Sequence, residues 1–536
     1  MCGIVVSLGP EADPAVFRRM LATLEPRGEV TETRSETGLL TGVRRLPVVD
    51  RQRAVQPWVS TDERWVLCYN GEVFNHHELR AELTALGCGF RGMSDTEVVL
   101  AGFLRWGEAM VSRLRGEYAF VIVERASGRA YLVRDPLGVK PLYWTQAPGC
   151  LHVASEVKAL VGFGAPITEV PPGHHGWVQA DAAACLRPYV NLLALGAGLP
   201  TVDDPDEAAL LVRAALTDSI RARLDTDLTV GVLLSGGLDS SLALLHAREL
   251  HPDCVAVTVG VPESPDLRYA RRLAKDLGVP HEVVELQPRD IRLAQIREAI
   301  RISELTEYGD IINAVVSVPL FRRLRELGVK VAVTGDGSDE LFGGYPMYHR
   351  VGPEAVRRLL LHKISNLGRT ELQRVDRTSM AYGVEARVPF LDPSVVELAM
   401  RLPIGLKLRA GQEKWIVRRA FADLLPDYIR RRPKNPMSYS SGLHERARLY
   451  KPVFARLHRS FRYDLAEPVR RDFGRVLTSC GNDLDRAIAA GRARPDYTVL
   501  EHARDLVGAA RWNAVPVVRR LVGPRRSRGD DVSLPD

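Results

Sequence analysis

The chain has 536 residues, 46% of them hydrophobic and 26% charged, with a formal net charge of +7. It exceeds the ~250–300 residues at which a single hydrophobic core stops growing, so at least two domains are expected and a dominantly disordered chain is excluded. Its longest apolar stretches, such as residues 230–234 and 255–261, fall far short of the ~20 residues that cross a bilayer, so no membrane partner is expected. The opening MCGIVVSLGP has no basic residue ahead of its short apolar run, and Glu11 and Asp13 follow, which argues against a secretory signal and for a cytoplasmic protein. Seven cysteines (Cys2, Cys68, Cys88, Cys150, Cys185, Cys254 and Cys480) form no CxxC pair and read as reduced thiols. The basic excess is diffuse, with part of it at Arg519, Arg520, Arg525, Arg526 and Arg528. A nucleic-acid partner is not expected, because such binding needs a concentrated basic stripe with stacking aromatics.

From residue 2 to about 178, short β-rich runs at 65–68, 118–123 and 131–133 alternate with Gly, Pro and Asp punctuation and two amphipathic helix candidates. This pattern describes a sheet-rich domain. Pro171-Pro172-Gly173 marks its closing turn and the pattern weakens from Ala180. The division expected is a first domain over 2–190, a linker over 191–205 and a second domain over 206–515. Asp204, Pro205 and Asp206 open a helix that carries Ala208, Leu211, Val212, Ala215, Leu216 and Ile220 on one face, with an acidic first turn suited to the helix dipole. A strand at 229–234, a Gly turn, a helix at 240–250, a strand at 254–261, a helix at 267–277, a strand at 283–286, a long helical stretch and a strand at 329–333 follow. Strands alternating with helices imply a parallel sheet covered on both faces. From Ile364 the chain reads as mainly helical, there is no internal repeat, and 516–536 reads as a basic, disordered tail.

Three segments carry chemistry. In Ser235-Gly236-Gly237-Leu238-Asp239-Ser240, two glycines let backbone N–H groups approach a ligand, two hydroxyls add donors, and the following helix aims its positive end at the same spot. This is a phosphate cradle without the GxxxxGK[ST] pattern of the Walker loop, and Asp239 inside it suggests a Mg²⁺ ligand. Thr334-Gly335-Asp336-Gly337-Ser338-Asp339-Glu340 follows another strand and can face the same crevice, since ligands of parallel sheets lie beyond the carboxyl ends of the strands. At the other end of the chain, removal of Met1 leaves Cys2 with an α-amine of pKa ~7.7–8.0 beside a thiol of ~8.5, a nucleophile with its own base. Tyr69-Asn70-Gly71-Glu72 supplies an Asn amide and a Gly N–H of the kind that form an oxyanion hole. Arg45 and Asp95 add a carboxylate clamp and an ammonium partner for an amino acid.

In this order, MCGIV, RRLPVVD, YNGEVFN, SDTEVV, RDPLGVKPLYW, ASEVKAL, PPGH, LLSGGLDSS, TGDGSDELFGGY, RVDRTSMAYGVEARVPFLD and RRPKNPMSYSSG resemble the glutamine-hydrolysing asparagine synthetases, within the class II glutamine amidotransferases, over nearly the whole length. The resemblance implies an α/β protein. Its N-terminal part would be an α+β, Ntn-type αββα glutaminase sandwich, and its C-terminal part an α/β PP-loop ATP pyrophosphatase domain with helical additions. It implies that Cys2 attacks the glutamine amide, that Asn70 and Gly71 hold the oxyanion, and that Arg45, Gly71, Glu72 and Asp95 grip the glutamine. Ammonia then passes inside the protein to a second site, where ATP adenylates a carboxylate, by default L-aspartate, with release of pyrophosphate and AMP. There Leu233, Ser235, Gly236, Gly237, Asp239, Ser240, Val259 and Gly335 would bind ATP, and Asp239 and Asp339 would hold Mg²⁺. Lys434 would neutralise phosphate charge and Asp336 would act near the incoming ammonia. Members are often dimeric, so a homodimer belongs to the same expectation.

Several positions leave alternatives open. Lys414, in EKW, reads either as a second phosphate-facing lysine or as a snorkelling surface lysine. Asp336 stands where relatives often carry Glu. Pro26-Arg27-Gly28-Glu29 and Pro47 depart from the usual pattern and are expected to alter the gating of the glutamine pocket. Residues 304–313, ELTEYGDIIN, match the acceptor region of relatives poorly although Glu307 aligns with a family acid, which keeps a carboxylate other than aspartate in view. Ring-closing relatives lose the glutaminase nucleophile, and a silent scaffold would erode at least one reactive set; both sets are complete here. His76, His77, His174 and His175 lack zinc-ligand spacing and read as surface or hydrogen-bonded histidines.

Overall fold

The computed structural model describes residues 1–434 other than 263, 288–291, 306–307 and 351. Glu307, Cys480, the 515/516 boundary and the basic tail lie outside the described residues. In the first domain twelve strands run β1 (Cys2–Leu8), β2 (Val30–Glu36), β3 (Leu39–Arg45), β4 (Trp58–Val59), β5 (Trp65–Val73), β6 (Gly116–Glu124), β7 (Arg129–Arg134), β8 (Tyr143–Ala147), β9 (Cys150–Ala154), β10 (Thr168–Glu169), β11 (His174–Gln179) and β12 (Ala182–Pro188). They form two antiparallel six-stranded sheets, β10-β8-β9-β1-β3-β2 and β12-β11-β7-β6-β5-β4.

The period-2 alternation of strands decides which residues meet. Ile4, Val6, Val43, Val66, Val121 and Leu132 pack between the sheets. On the outer face of the first sheet, Val5 meets Phe17 and Leu21 of α1 (Pro14–Thr23). On the outer face of the second, Leu67 and Tyr69 meet α2 (His76–Ala85) and α3 (Asp95–Trp106). The result is the αββα layering expected. The weak pattern after Ala180 conceals a strand: β12 is a largely exposed edge strand paired with β11, so it carries no apolar run to announce it.

The second domain is built on a five-stranded parallel sheet ordered β15-β14-β13-β16-β17, with β13 (Val230–Leu233), β14 (Val255–Gly260), β15 (His281–Glu285), β16 (Val331–Val333) and β17 (Glu385–Arg387). Helices α4 (Pro205–Arg223), α5 (Leu238–Leu250), α6 (Pro265–Leu277), α7 (Leu293–Ser303), α8 (Tyr308–Glu326), α9 (Ser338–Phe342), α10 (Pro353–Asn366) and α11 (Glu371–Met380) surround it, and short helices continue to Arg430. Asp204 caps α4 by accepting from the backbone N–H groups of Asp206 and Glu207. Ala208, Val212, Leu216 and Ile220 are buried, but Leu211, at the edge of that stripe, is 37% exposed. α5 begins two residues earlier than expected, which brings Asp239 and Ser240 into its first turn. Strand β17 was hidden in the stretch read as helical. Its Glu-Ala-Arg is fully buried because Glu385 and Arg387 pair with each other at 2.6 Å.

The domains meet through ion pairs, some buried and some exposed, as well as through apolar packing. Ile296, Ile300 and Ile312 of α7 and α8 join the cluster of Val5, Phe17 and Leu21. Arg223 bridges Glu117 at 2.8 Å and Asp392 at 3.0 Å, and Glu29 pairs with Arg325 at 2.6 Å and Lys330 at 2.7 Å. Among the described residues, no helix is long and apolar enough to cross a membrane.

Candidate active sites

The first site forms where β1 of one sheet faces β5 of the other. The Cys2 backbone N–H donates to Asn70 Oδ1 at 2.9 Å. This fixes the amide so that Asn70 Nδ2 points elsewhere, and that nitrogen is buried without a partner. An unmet buried donor costs roughly 1–3 kcal/mol, and a developing oxyanion is the partner that would relieve it. Gly71 has φ +152°, and a Cβ there would stand 2.2 Å from the Glu117 carbonyl oxygen, so the strand accepts only glycine at this position. Gln56, which the sequence reading missed, donates through Nε2 to Cys2 Sγ at 3.7 Å and accepts the Tyr69 N–H at 2.8 Å. Burial pushes the Cys2 thiol above its ordinary pKa, against the neighbouring terminal ammonium.

Cys2, Arg45, Gln56, Gly71, Glu72 and Asp95 line one small space of about 20 Å³, closed partly by Met1 and Pro47. Arg45, opposite Cys2 in the β1–β3 register, is held by Glu32 at 2.9–3.1 Å. Asp95 accepts from Tyr69 Oη at 2.6 Å, the Val73 N–H at 3.0 Å and the Thr96 N–H at 2.8 Å. Burial, with Glu385 and Asp95 nearby, lifts Glu72 well above the usual carboxylate range. Pro47 therefore borders the pocket as expected, whereas residues 26–29 do not line it. Arg27 and Glu29 turn instead to the domain interface, where their carboxylate and ammonium partners reside.

The second site opens at the carboxyl ends of β13 and β16, as an open parallel sheet dictates. A cavity of about 200 Å³ is lined by Leu233, Ser235, Asp239, Ser240, Val259 and Gly335, and further by Asp336, Asp339 and Lys434. Gly236 and Gly237 make the turn beneath. Gly236 has φ +65°, and a Cβ there would meet the Ala270 nitrogen at 2.7 Å. Ser240 Oγ, at the start of α5, binds back to the Ser235 N–H at 3.2 Å and closes the loop.

Lys414 is not a surface lysine. It is 2% exposed, and its Nζ lies 2.5 Å from both Asp239 and Asp339. Lys434 adds a second ammonium 2.6 Å from Asp339. Burial alone would raise Asp339, but Lys414 and Lys434 hold it well below the usual carboxylate range. Burial would likewise lower Lys434, but Asp339 and Asp239 hold it above an ordinary lysine. Two carboxylates converging on one cation position form a hard oxygen set that fits Mg²⁺.

Asp336 is not free: Arg374 Nη2 donates to it at 2.6 Å, and Arg374 Nη1 donates to Ser317 Oγ at 3.1 Å. Arg374 and Ser317 were missed, although Arg374 sits inside the RVDRTS motif. On the same wall, Asn313 Oδ1 is buried without a partner, and Glu371 and Tyr345 complete the rim. Glu340, which accepts from Tyr345 Oη, is pushed up to about 8 by burial and by Glu371 and Asp339. Glu304 does not line this cavity. Its carboxylate accepts the N–H groups of Val157 at 3.2 Å and Lys158 at 2.8 Å in the first domain. Of the paired histidines, His76 Nδ1 is hydrogen-bonded to the Val73 carbonyl and His174 Nδ1 to the Pro172 carbonyl.

The sequence aligns with known families over both regions. A glutamine amidotransferase domain matches residues 1–182, and asparagine synthase matches residues 211–352 and 350–485. An asparagine synthetase [glutamine-hydrolyzing] of Sandersonia aurantiaca is 33% identical over 476 residues, 82% of this chain and 87% of that protein. Asparagine synthetase B [glutamine-hydrolyzing] of Escherichia coli (strain K12) is 34% identical over 427 residues, 74% of each chain. With a cysteine and an unmet amide donor in one matched domain and a strand-end cavity ringed by paired acids and lysines in the other, the chain belongs to the glutamine-hydrolysing asparagine synthetase family of enzymes.

Proposed function

We propose that this enzyme takes ammonia from glutamine at the first site and uses it at the second to amidate a carboxylate activated by ATP, with L-aspartate as the default acceptor. The observation that carries this reading is the presence, in one chain, of the unpartnered Asn70 Nδ2 beside Cys2 and of Lys414 and Lys434 balanced against Asp239 and Asp339 at a nucleotide-type cavity. With Met1 removed, the Cys2 amine takes the thiol proton, Sγ attacks the amide carbon, and Asn70 Nδ2 with the Gly71 N–H receives the oxyanion. The same amine protonates the departing ammonia, and water releases glutamate from the thioester. At the second site a carboxylate oxygen attacks the α-phosphorus of ATP and pyrophosphate leaves. Ammonia then attacks the acyl carbon and AMP leaves, with Asp336 as proton acceptor.

Mg²⁺ held by Asp239 and Asp339 would supply charge neutralisation on the phosphates, while Lys414 and Lys434 shift from these carboxylates toward the polyphosphate. Passage of ammonia inside the protein is supported by an apolar seam of Leu46, Val48, Val331 and Met380. The seam joins the wall of the Cys2 pocket to β16, the strand that leads to Asp336. A reaction that consumes ATP suits the cytoplasm, and the homodimer stays part of this reading.

AMP and pyrophosphate release with ATP, Mg²⁺ and glutamine tests it, using aspartate and a panel of other carboxylic acids with mass detection of the amides. Steady asparagine formation is expected. AMP release with no carboxylate, or with none of the panel giving an amide, would refute it. A second reading, in which another carboxylate is the acceptor, is favoured by the acceptor wall. Among its described residues, Arg374 and Lys434 are both matched by carboxylates, and Asn313 offers an unpartnered acceptor oxygen.

A further inference from the structure

Helix α11 presents opposite faces to the two sites. Residues three or four apart stack on one face of a helix, whereas residues two apart point roughly 200° away from each other. Glu371 and Arg374 share the face that lines the nucleotide cavity, where Arg374 binds Asp336 and Ser317. Gln373 and Asp376 share the other, and Arg377 lies on the flank between the two. Gln373 Nε2 donates to the carbonyls of Ser303 at 2.9 Å and Glu304 at 3.0 Å, and Arg377 Nε donates to Glu304 at 3.2 Å. Asp376 receives the Arg27 guanidinium through both oxygens, at 2.9 and 3.2 Å. Arg27 Nε in turn donates to the carbonyl oxygen of Cys2 at 3.1 Å. Arg27 is 1% exposed and Asp376 2%, so nothing in solvent competes for these bonds. Glu156, 2.5 Å from Arg27, and Arg377, 3.1 Å from Asp376, close the cluster.

We infer that Asp376 is a positioning residue that couples the two sites: it holds Arg27, and through Arg27 the backbone of the nucleophile, on the same rigid helix that carries Arg374 at the acceptor wall. This rests on the function proposed above. Arg374 and Asp376 are two residues apart in a continuously hydrogen-bonded helix. A shift of Arg374 when ATP and acceptor fill the cavity is therefore delivered to Asp376, and the bidentate ion pair transmits direction as well as distance. Coupling of this kind amounts to a changed rate at one site when the other is filled.

The test is Asp376→Asn, which keeps the shape and removes the charge. Three rates are measured: glutamine hydrolysis alone, glutamine hydrolysis with ATP and the carboxylate that supports AMP release, and ammonia-dependent AMP release. In the parent enzyme, ATP and carboxylate should raise glutamine hydrolysis by at least about fivefold, the low end of ordinary coupling. In Asp376→Asn that ratio should fall to near one while ammonia-dependent AMP release stays within about twofold. A merely structural role would lower both rates and leave the ratio alone, so an unchanged ratio in Asp376→Asn, or a parent ratio of one, overturns the inference. Asp376→Glu, which keeps the charge, should restore part of the ratio. If Asp376→Asn does not fold, Arg27→Lys gives the same reading, because an ammonium cannot bind both Asp376 oxygens and the Cys2 carbonyl. Absence of ammonia-dependent AMP release in the parent enzyme would instead refute the proposed function.

Discussion

The two sites of this enzyme are built by different forces. In the first, Asn70, Gly71 and Glu72 are consecutive in β5, and Cys2 opens β1 opposite Arg45. Ladder hydrogen bonds set their positions whatever their charge state. In the second, Asp239 and Asp339 stand in the first turns of α5 and α9 and are held by Lys414 and Lys434 from the far end of the described chain. The first site is therefore rigid, with the Asn70 amide donor left unmet, and the second is a set of charges balanced against each other. A scaffold made of backbone ladders preserves geometry, whereas one made of ion pairs can change partners.

The sharpest way to test that difference is to remove the nucleophile. Cys2→Ala should reduce glutamine-dependent amide formation by at least about a thousandfold and leave synthesis from high ammonium intact; equal loss with both donors would erase the distinction between the sites. Asp239→Asn should reverse the pattern, stopping AMP formation with either nitrogen donor while glutamine hydrolysis continues, and undiminished AMP release would remove Asp239 from the phosphate end. Asn70→Ala takes away the unmet donor and should lower kcat for glutamine hydrolysis about 10²–10³-fold with little change in KM. A rise in KM alone would make Asn70 a substrate-binding group instead.

The smallest effect concerns the charges between the domains. Burial opposes ionisation of Glu156, yet Lys158, Arg27 and Arg377 around it hold it at about 2. Unfolded glutamate titrates near ~4.3. Its contribution is thus complete above that value and is lost as pH falls through about 2. Thermal unfolding followed from pH 6 to pH 3 should show a Tm that holds and then drops by several degrees below about pH 4, on a scale of roughly 2–4 °C per kcal/mol. A Tm constant down to pH 3 would mean that these ion pairs do not hold the domains.

Much of this was legible in the sequence because local physics carries it. Alternating apolar residues fixed the sheet-rich first half, and strand-turn-helix punctuation fixed the parallel sheet of the second. Glycine was demanded at Gly71 and Gly236 by backbone conformation and close approach, so YNGE and SGGLDS announced themselves. What stayed hidden had no local signal. Strand β12 is an exposed edge, and β17 is a buried strand of charged residues made tolerable only by Arg387 and Glu385 meeting each other. Lys414 could be a surface lysine by sequence and is, in space, a buried hub between Asp239 and Asp339. Arg27 read as part of a gate to the glutamine pocket, yet it reaches across to Asp376, because a buried guanidinium settles where carboxylates converge. The sequence by itself determined which backbone could form and which chemistry was present. Only the tertiary structure decided which charges face each other, since partners hundreds of residues apart are chosen by packing and desolvation rather than by spacing along the chain.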